Sequence, residues 1–401
     1  MNTSKGMQVP FHVADVGEAE VQAVAEVIRS GWLTTGPKAV QFEEEFAKYV
    51  GSKHALAVCS CTAALHLALE AVGIGPGDEV LVPTTTFTAT AEVVVYLGAA
   101  PVLVDIDPIT LNIDANDAAK RVTRRTKAIV PVHYGGQPCD MEQIQAFADS
   151  HGLHVIEDAA HALPAFYRER KVGSMSEITA FSFYATKTLT TGEGGMITTN
   201  DDTFAERMRI MRLHGMACDA WKRYSAEGSW YYQVIDAGYK YNMSDIQAAV
   251  GLVQLRKCDS MRDARERVAY RYNLAFAALE QLEIPVVSND RRSAWHLYPI
   301  RIHPRALQLR RDELIGELRK RGVGTSVHFI PLHLHPYYQK KFGYKIGDFP
   351  YAEREYQRYI SLPIFPTMKE EHIEHVVKAV SEVAGACANK YVVNNAAVHE
   401  C

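Results

Sequence analysis

From about residue 17 to residue 260 the chain alternates short apolar runs with longer stretches of helical periodicity, and this alternation leaves few folds open. Strands separated by helices pair side by side in a mostly parallel sheet covered on both faces, because a parallel crossover needs a connection of about that length. Glu18 to Arg29 reads as an amphipathic helix stopped at Gly31, and Phe42 to Tyr49 as a second, short one. Ala55 to Cys59 has the length and apolarity of a buried strand and leads into a helix over Ala63 to Glu70. Strands are expected at Glu79 to Val82, Val102 to Asp105, Lys127 to Val132 and Leu153 to Glu157, with helices at Ala89 to Leu97 and Met141 to His151. Thr203 to Leu213 and Ser244 to Leu282 read as helical, the latter broken or bent near Cys258.

Past that point the pattern changes. Strands at Leu297 to Ile302 and Gly324 to His328 mix with helices at Arg311 to Arg321 and Lys369 to Val383, as in a smaller α+β unit. The expected organisation is a large α/β domain over residues 1–257, whose N-terminal segment can pack on the small domain, a small α+β domain over 258–385, and a tail over 386–401 without periodicity.

A chain of 401 residues is long enough to enclose a site. Its 43 Lys+Arg against 47 Asp+Glu, a formal charge of −4 without long like-charge blocks, argue against a nucleic-acid or anionic-membrane surface. The apolar, uncharged run Val93 to Val104 contains Gly98 and Pro101 and falls short of the roughly 20 apolar residues a membrane span requires. The first ten residues hold one lysine and no apolar leader core, so a soluble, cytoplasmic protein is expected. Seven scattered cysteines form neither a disulfide framework nor a zinc spacing. Cys59-Ser60-Cys61, with one intervening residue in an apolar strand-to-helix turn, suits small core residues better than metal ligands, and no metal is expected.

The chemistry concentrates around Lys187. It follows a strand-like run ending Phe181-Ser-Phe-Tyr-Ala-Thr and precedes Gly192-Glu-Gly-Gly195 and another strand, while about thirty residues upstream the strand His154 to Asp158 ends in a carboxylate. An amine and a buried acid at the ends of neighbouring strands are what a pyridoxal 5'-phosphate (PLP) enzyme needs: the lysine forms the Schiff base and the acid keeps the pyridine nitrogen protonated. Alone, Asp158 caps a helix or pairs with an arginine equally well, and Thr62, at the start of the helix after Cys59, is an ordinary N-cap. Ser182, five residues before Lys187, offers a second hydroxyl to a phosphate at that helix N-terminus. Phe181, Phe183 and Tyr184 are expected to surround the lysine with aromatic bulk and lower its pKa. Gly73-Ile-Gly75-Pro-Gly77 precedes a strand and is read as a turn; His333-Leu-His335 is read as a surface loop.

Taken together, Gly31-Trp-Leu-Thr-Thr-Gly36-Pro, Ser60-Cys-Thr-Ala-Ala64-Leu-His, Gly77-Asp-Glu-Val80, Pro131-Val-His-Tyr134-Gly, Glu157-Asp-Ala-Ala-His161, Phe181 to Lys187, Gly192 to Gly195 and Gly238-Tyr-Lys-Tyr-Asn242 make the chain resemble, from about residue 8 to 385, the DegT/StrS family of sugar-nucleotide aminotransferases. The resemblance implies the PLP fold type I, an aspartate-aminotransferase-like α/β architecture. It makes Lys187 the Schiff-base residue and Asp158 the partner of the pyridine nitrogen. Thr62, the Ala63 backbone and Ser182 would hold the phosphate, Phe87 and Ala160 would flank the ring, and His161 would lie near its hydroxyl. Asn242 matches a residue that reaches the phosphate of a neighbouring subunit, which implies a homodimer with shared active sites. Tyr134, Glu193 and His328, within family motifs, are candidates for touching substrate.

Trp32-Leu-Thr-Thr, His133-Tyr134, Asp158 to His161 and Gly324 to Phe329 look most like members that aminate C4 of a UDP-4-keto-pentose, with glutamate as donor and 2-oxoglutarate as its product; Cys61 and Thr188 depart from the usual family residues. A 3-keto or 4-keto-6-deoxy sugar nucleotide is the alternative substrate. A PLP-dependent dehydratase carries histidine where this chain has Lys187, and a non-catalytic PLP-binding regulator would not need the full set of acid, amine and hydroxyls.

Overall fold

The computed structural model describes residues 7–217, 231–303 and 305–388. In chain order the elements are α1 (Glu18–Ser30), α2 (Pro37–Val50), β1 (His54–Val58), α3 (Cys61–Ala71), β2 (Glu79–Pro83), α4 (Ala89–Tyr96), β3 (Ala100–Val104), α5 (Ala115–Arg121), β4 (Thr126–Ile129), α6 (Met141–His151) and β5 (His154–Asp158). Next come the two-residue strands β6 (Phe166–Tyr167) and β7 (Arg170–Lys171), then β8 (Ile178–Ser182), β9 (Gly195–Thr199), α7 (Asp202–Met211), α8 (Asp245–Arg256) and α9 (Cys258–Phe276). The remainder comprises β10 (Leu282–Glu283), β11 (Arg291–Arg292), β12 (Tyr298–Ile302), α10 (Arg311–Lys320), α11 (Pro336–Phe342), α12 (Pro350–Tyr356), β13 (Tyr359–Leu362) and α13 (Glu370–Ala386).

Seven strands form the central sheet in the order β1-β9-β8-β5-β4-β2-β3. Its pairings are parallel except where β9 runs against β1 and β8. Every residue of β2 and β9 is buried, and the Val80 to Val82 centre of β2 is accordingly a continuous apolar run rather than an alternating one. One core unites Leu56, Val80, Ile156 and Ile197 with Leu65, Leu69 and Val93 of the helices over one face; Phe42, Phe46, Phe181 and Leu252 lie in another.

A three-stranded antiparallel sheet, β10-β12-β13, packs with α9, α10 and α13 in a separate core around Tyr272, Tyr298, Leu318 and Val380. The long helix breaks as expected: α8 ends at Arg256 and α9 starts at Cys258. Gly324 to His328 is not a strand, contrary to the sequence reading. Only isolated bridges form there, Val9 with Val323 and Ser326 with Ser361, so no run of consecutive pairs extends along the segment. The tail past residue 388 lies outside the described residues. Among the described residues no helix is long and apolar enough to cross a membrane.

Candidate active site

Because β9 alone is reversed, β1, β8 and β5 end on the same edge of the sheet, where α/β folds gather ligands. β1 hands over to α3, β8 ends at Ser182 and β5 at Asp158, so the register places the three sequence signals along one line. At the β1 corner Ser60 caps α3, its Oγ accepting from Ala63 N at 3.1 Å, and Thr62 follows in the first turn. The first N–H groups of this eleven-residue helix carry the positive end of its dipole. Gly195, opposite both Val58 and Ser182, has a packing reason to be glycine: a Cβ there would lie 2.6 Å from the Ser60 carbonyl carbon and 2.8 Å from Cys61 N.

Asp158 is buried, and each carboxylate oxygen has one donor: Thr90 Oγ1 at 2.8 Å on Oδ2 and Ala160 N at 3.1 Å on Oδ1. Burial raises its pKa, against the lowering effect of these two bonds and of Lys187 and His133. Lys187 keeps part of its surface, but its amine is densely surrounded and pushed down to about 8, first by burial; Cys61 and Asp158 raise it and Arg265 lowers it further. Phe181 and Phe183 do not enclose it. Both turn into the cluster with Phe42 and Phe46, and Tyr184 is exposed, since successive residues of a strand end face opposite ways. Histidines face the amine instead. The His296 Nε2 atom lies 3.5 Å from Lys187 Nζ, and the His161 ring lies 4.3 Å from that of His296. His12 and His328 are both pushed down to about 4 by burial, with Lys187 contributing, and burial holds His161 and His296 well below the usual imidazole value.

Among the other candidates, His161 accepts from Gly135 N at 3.3 Å and stacks on Phe329. Phe87 is 60% exposed, with its ring 6.0 Å from Phe329; a phenylalanine at a helix start is more often core. Tyr134 donates its hydroxyl hydrogen to the His328 carbonyl, and His328 Nδ1 meets Ser361 Oγ at 2.9 Å. Ala160 follows Asp158 within the same turn. Asn242 is tied within its own chain, donating to Thr35 Oγ1 at 2.6 Å and bridging Val58. Glu193 is exposed, and its backbone carbonyl accepts from Thr191 and Gln247. His333 is fully buried, with Nδ1 on Thr84 Oγ1 at 2.8 Å and Nε2 on Glu353 at 2.9 Å, so the surface-loop reading of that segment is corrected.

These residues fit PLP. A buried carboxylate with only two donors can take an N–H, a lysine amine lies free of any carboxylate bond, and a glycine-cleared helix N-terminus with Ser60, Thr62 and Ser182 around it suits a phosphate.

Thr90, His12, His296 and Arg265 were not singled out from the sequence. Arg265 alone carried a signal: it occupies the core-facing register of α9 with Met261, Val268, Ala269 and Tyr272, where an arginine breaks the apolar stripe.

Known proteins resemble this chain along nearly its whole length. The model of the DegT/DnrJ/EryC1/StrS aminotransferase family matches residues 14–381. The chain is 53% identical over 376 residues to the spore coat polysaccharide biosynthesis protein SpsC of Bacillus subtilis, covering 94% of this chain and 97% of that protein. Its fold superposes, at a TM-score of 0.87 and 32% identity, on Spr1654 of Streptococcus pneumoniae, described as a proposed sugar aminotransferase and solved in its PLP form, covering 95% of this chain and 99% of that one. PseC of Helicobacter pylori, an aminotransferase of pseudoaminic acid biosynthesis, superposes at 0.87 with 30% identity over 95% of this chain and 100% of its own.

Proposed function

The chain belongs to the DegT/DnrJ/EryC1/StrS aminotransferase family and uses PLP, and on that premise we propose that it moves an amino group from glutamate onto C4 of a nucleotide-linked 4-keto sugar, a UDP-4-keto-pentose or a close relative. One observation carries the reading: β5 and β8 pair in parallel and end on one edge, which sets the buried Asp158 at the end of one strand and Lys187 five residues past the end of the other. PLP supplies an aldehyde carbon and a ring that accepts electrons.

Lys187 would hold that carbon, Asp158 would accept the ring N–H, and Thr62, Ala63 N and Ser182 would take the phosphate. Phe87 and Ala160 would flank the ring and His161 would lie at its hydroxyl. Thr90 and the Ala160 N–H keep the Asp158 carboxylate aimed and favour its charged form against the effect of burial. With its amine pushed down to about 8, Lys187 would be a base matched to neutral pH, able to take a proton from the donor Cα and give it back in the opposite half-reaction. Four neutral histidines around it accept or donate hydrogen bonds without adding charge. Tyr134, His328 and Glu193 are read as substrate contacts. The active unit is read as a homodimer, with Asn242 reaching the partner's phosphate. The name of SpsC supports a product destined for a polysaccharide.

Purified protein mixed with glutamate alone should lose its visible cofactor absorbance in one turnover and release 2-oxoglutarate. A panel of 3-keto, 4-keto-pentose and 4-keto-6-deoxy sugar nucleotides should then restore the absorbance, fastest with a 4-keto sugar. No response to glutamate, or restoration by 3-keto sugars only, overturns the corresponding half of the reading.

A further inference from the structure

Arg265 is 0% exposed on α9. Its Nη1 donates to the carbonyls of Ile364 at 2.7 Å, Trp295 at 3.3 Å and His296 at 3.4 Å, while Nε and Nη2 have no partner among the described residues. Among the described residues no carboxylate stands at ion-pair distance from it, although a buried, uncompensated cation costs several kcal/mol. Such a charge persists only where something is gained from it.

The gain lies at His296. Arg265 grips the backbone of this residue, whose ring is buried, has no partner on Nδ1, and turns Nε2 toward Lys187 Nζ at 3.5 Å. An ammonium can only donate, so toward a protonated Lys187 the ring must keep its hydrogen on Nδ1 and offer the Nε2 lone pair. The other titratable groups facing the amine are Cys61 on α3, Asp158 on β5, and His12, His161 and His328 from three different segments. Burial keeps the thiol protonated and these imidazoles neutral, which leaves Arg265 and Asp158 as the groups whose charge acts on the amine.

We propose that Arg265 and His296 are positioning residues for the reacting amine: His296 receives the Lys187 N–H and fixes its direction, and Arg265, a buried cation bonded to the His296 carbonyl, holds His296 in place beside that nitrogen. This rests on Lys187 being the cofactor-bearing residue. The two effects oppose each other in sign. Removing the cation favours the protonated nitrogen; removing the acceptor disfavours it.

The test is the pH midpoint of the cofactor's visible absorbance in the loaded protein. Arg265→Met should raise it by about one pH unit and Arg265→Lys should leave it near the parent value. His296→Leu should lower it by roughly half a unit, and His296→Gln, which retains an acceptor, should restore it. Shifts in the same direction, or none, overturn the proposal. Should Arg265→Met not fold, His296→Leu decides alone: a lower midpoint supports the proposal and an unchanged one ends it. Borohydride reduction followed by peptide mass analysis separates the two readings: cofactor mass on any residue but Lys187 defeats the assignment of the lysine itself, whereas cofactor mass on Lys187 with shifts of one sign, or none, defeats only the positioning roles of Arg265 and His296.

Discussion

Successive residues of β5 point to opposite faces, and the polar groups they meet are organised differently. Glu157 faces a closed set: His133 Nε2 lies at 2.7 Å, Thr179 Oγ1 donates at 3.0 Å, and His133 Nδ1 in turn accepts from Cys139 N at 3.0 Å. Both members of the pair are 0% exposed. Burial would raise the Glu157 pKa, but its bonds to His133 and Thr179 bring it below the ordinary carboxylate value. On the Asp158 face, by contrast, His296 Nδ1, His12 Nε2 and two nitrogens of Arg265 have no partner among the described residues. A satisfied network holds structure, whereas an unsatisfied one keeps groups ready for something that arrives later.

Lys187→Ala probes the open side most directly. We expect turnover to fall by about a thousandfold or more with no loss of melting temperature, measured by steady-state rates and calorimetry. On the closed side, His133→Ala strands a buried carboxylate and should cost about 3–5 kcal/mol in denaturant unfolding. If instead His133→Ala proved neutral in stability and Lys187→Ala destabilised the protein, the contrast between the two faces would be wrong.

The pH dependence sharpens the same contrast. In cofactor-free protein, labelling of Lys187 by an amine reagent should be half-maximal near pH 8 rather than near 10.5. Since the folded chain then holds this proton less tightly than the unfolded chain, stability should rise as pH increases from about 8 toward 10.5. The closed pair behaves oppositely in range: with the Glu157 pKa depressed, its contribution is complete above the ordinary value of 4.5 and is lost as pH falls through the lower folded value, visible as acid destabilisation that His133→Ala should reduce. The smallest effect is expected at Thr90→Val, which removes one of the two bonds to Asp158 and should weaken cofactor affinity by about tenfold in equilibrium titration.

Periodicity, breakers and motif spacing made the parallel sheet, the break before Cys258, and the pairing of Lys187 with Asp158 legible in the amino-acid order, because each is a local pattern or the end of a strand. They did not reveal that Phe181 and Phe183 turn away from the lysine, that His333 is buried, or that four histidines and Arg265 converge on one amine. Those facts depend on contacts between residues such as 12, 187, 265 and 296, drawn from separate elements, and only the packing of the small sheet and the N-terminal segment against the end of the large sheet brings them together. Local propensity specifies which strands end in reactive groups; the low-dielectric surroundings that set their charge exist only once distant segments have closed over them.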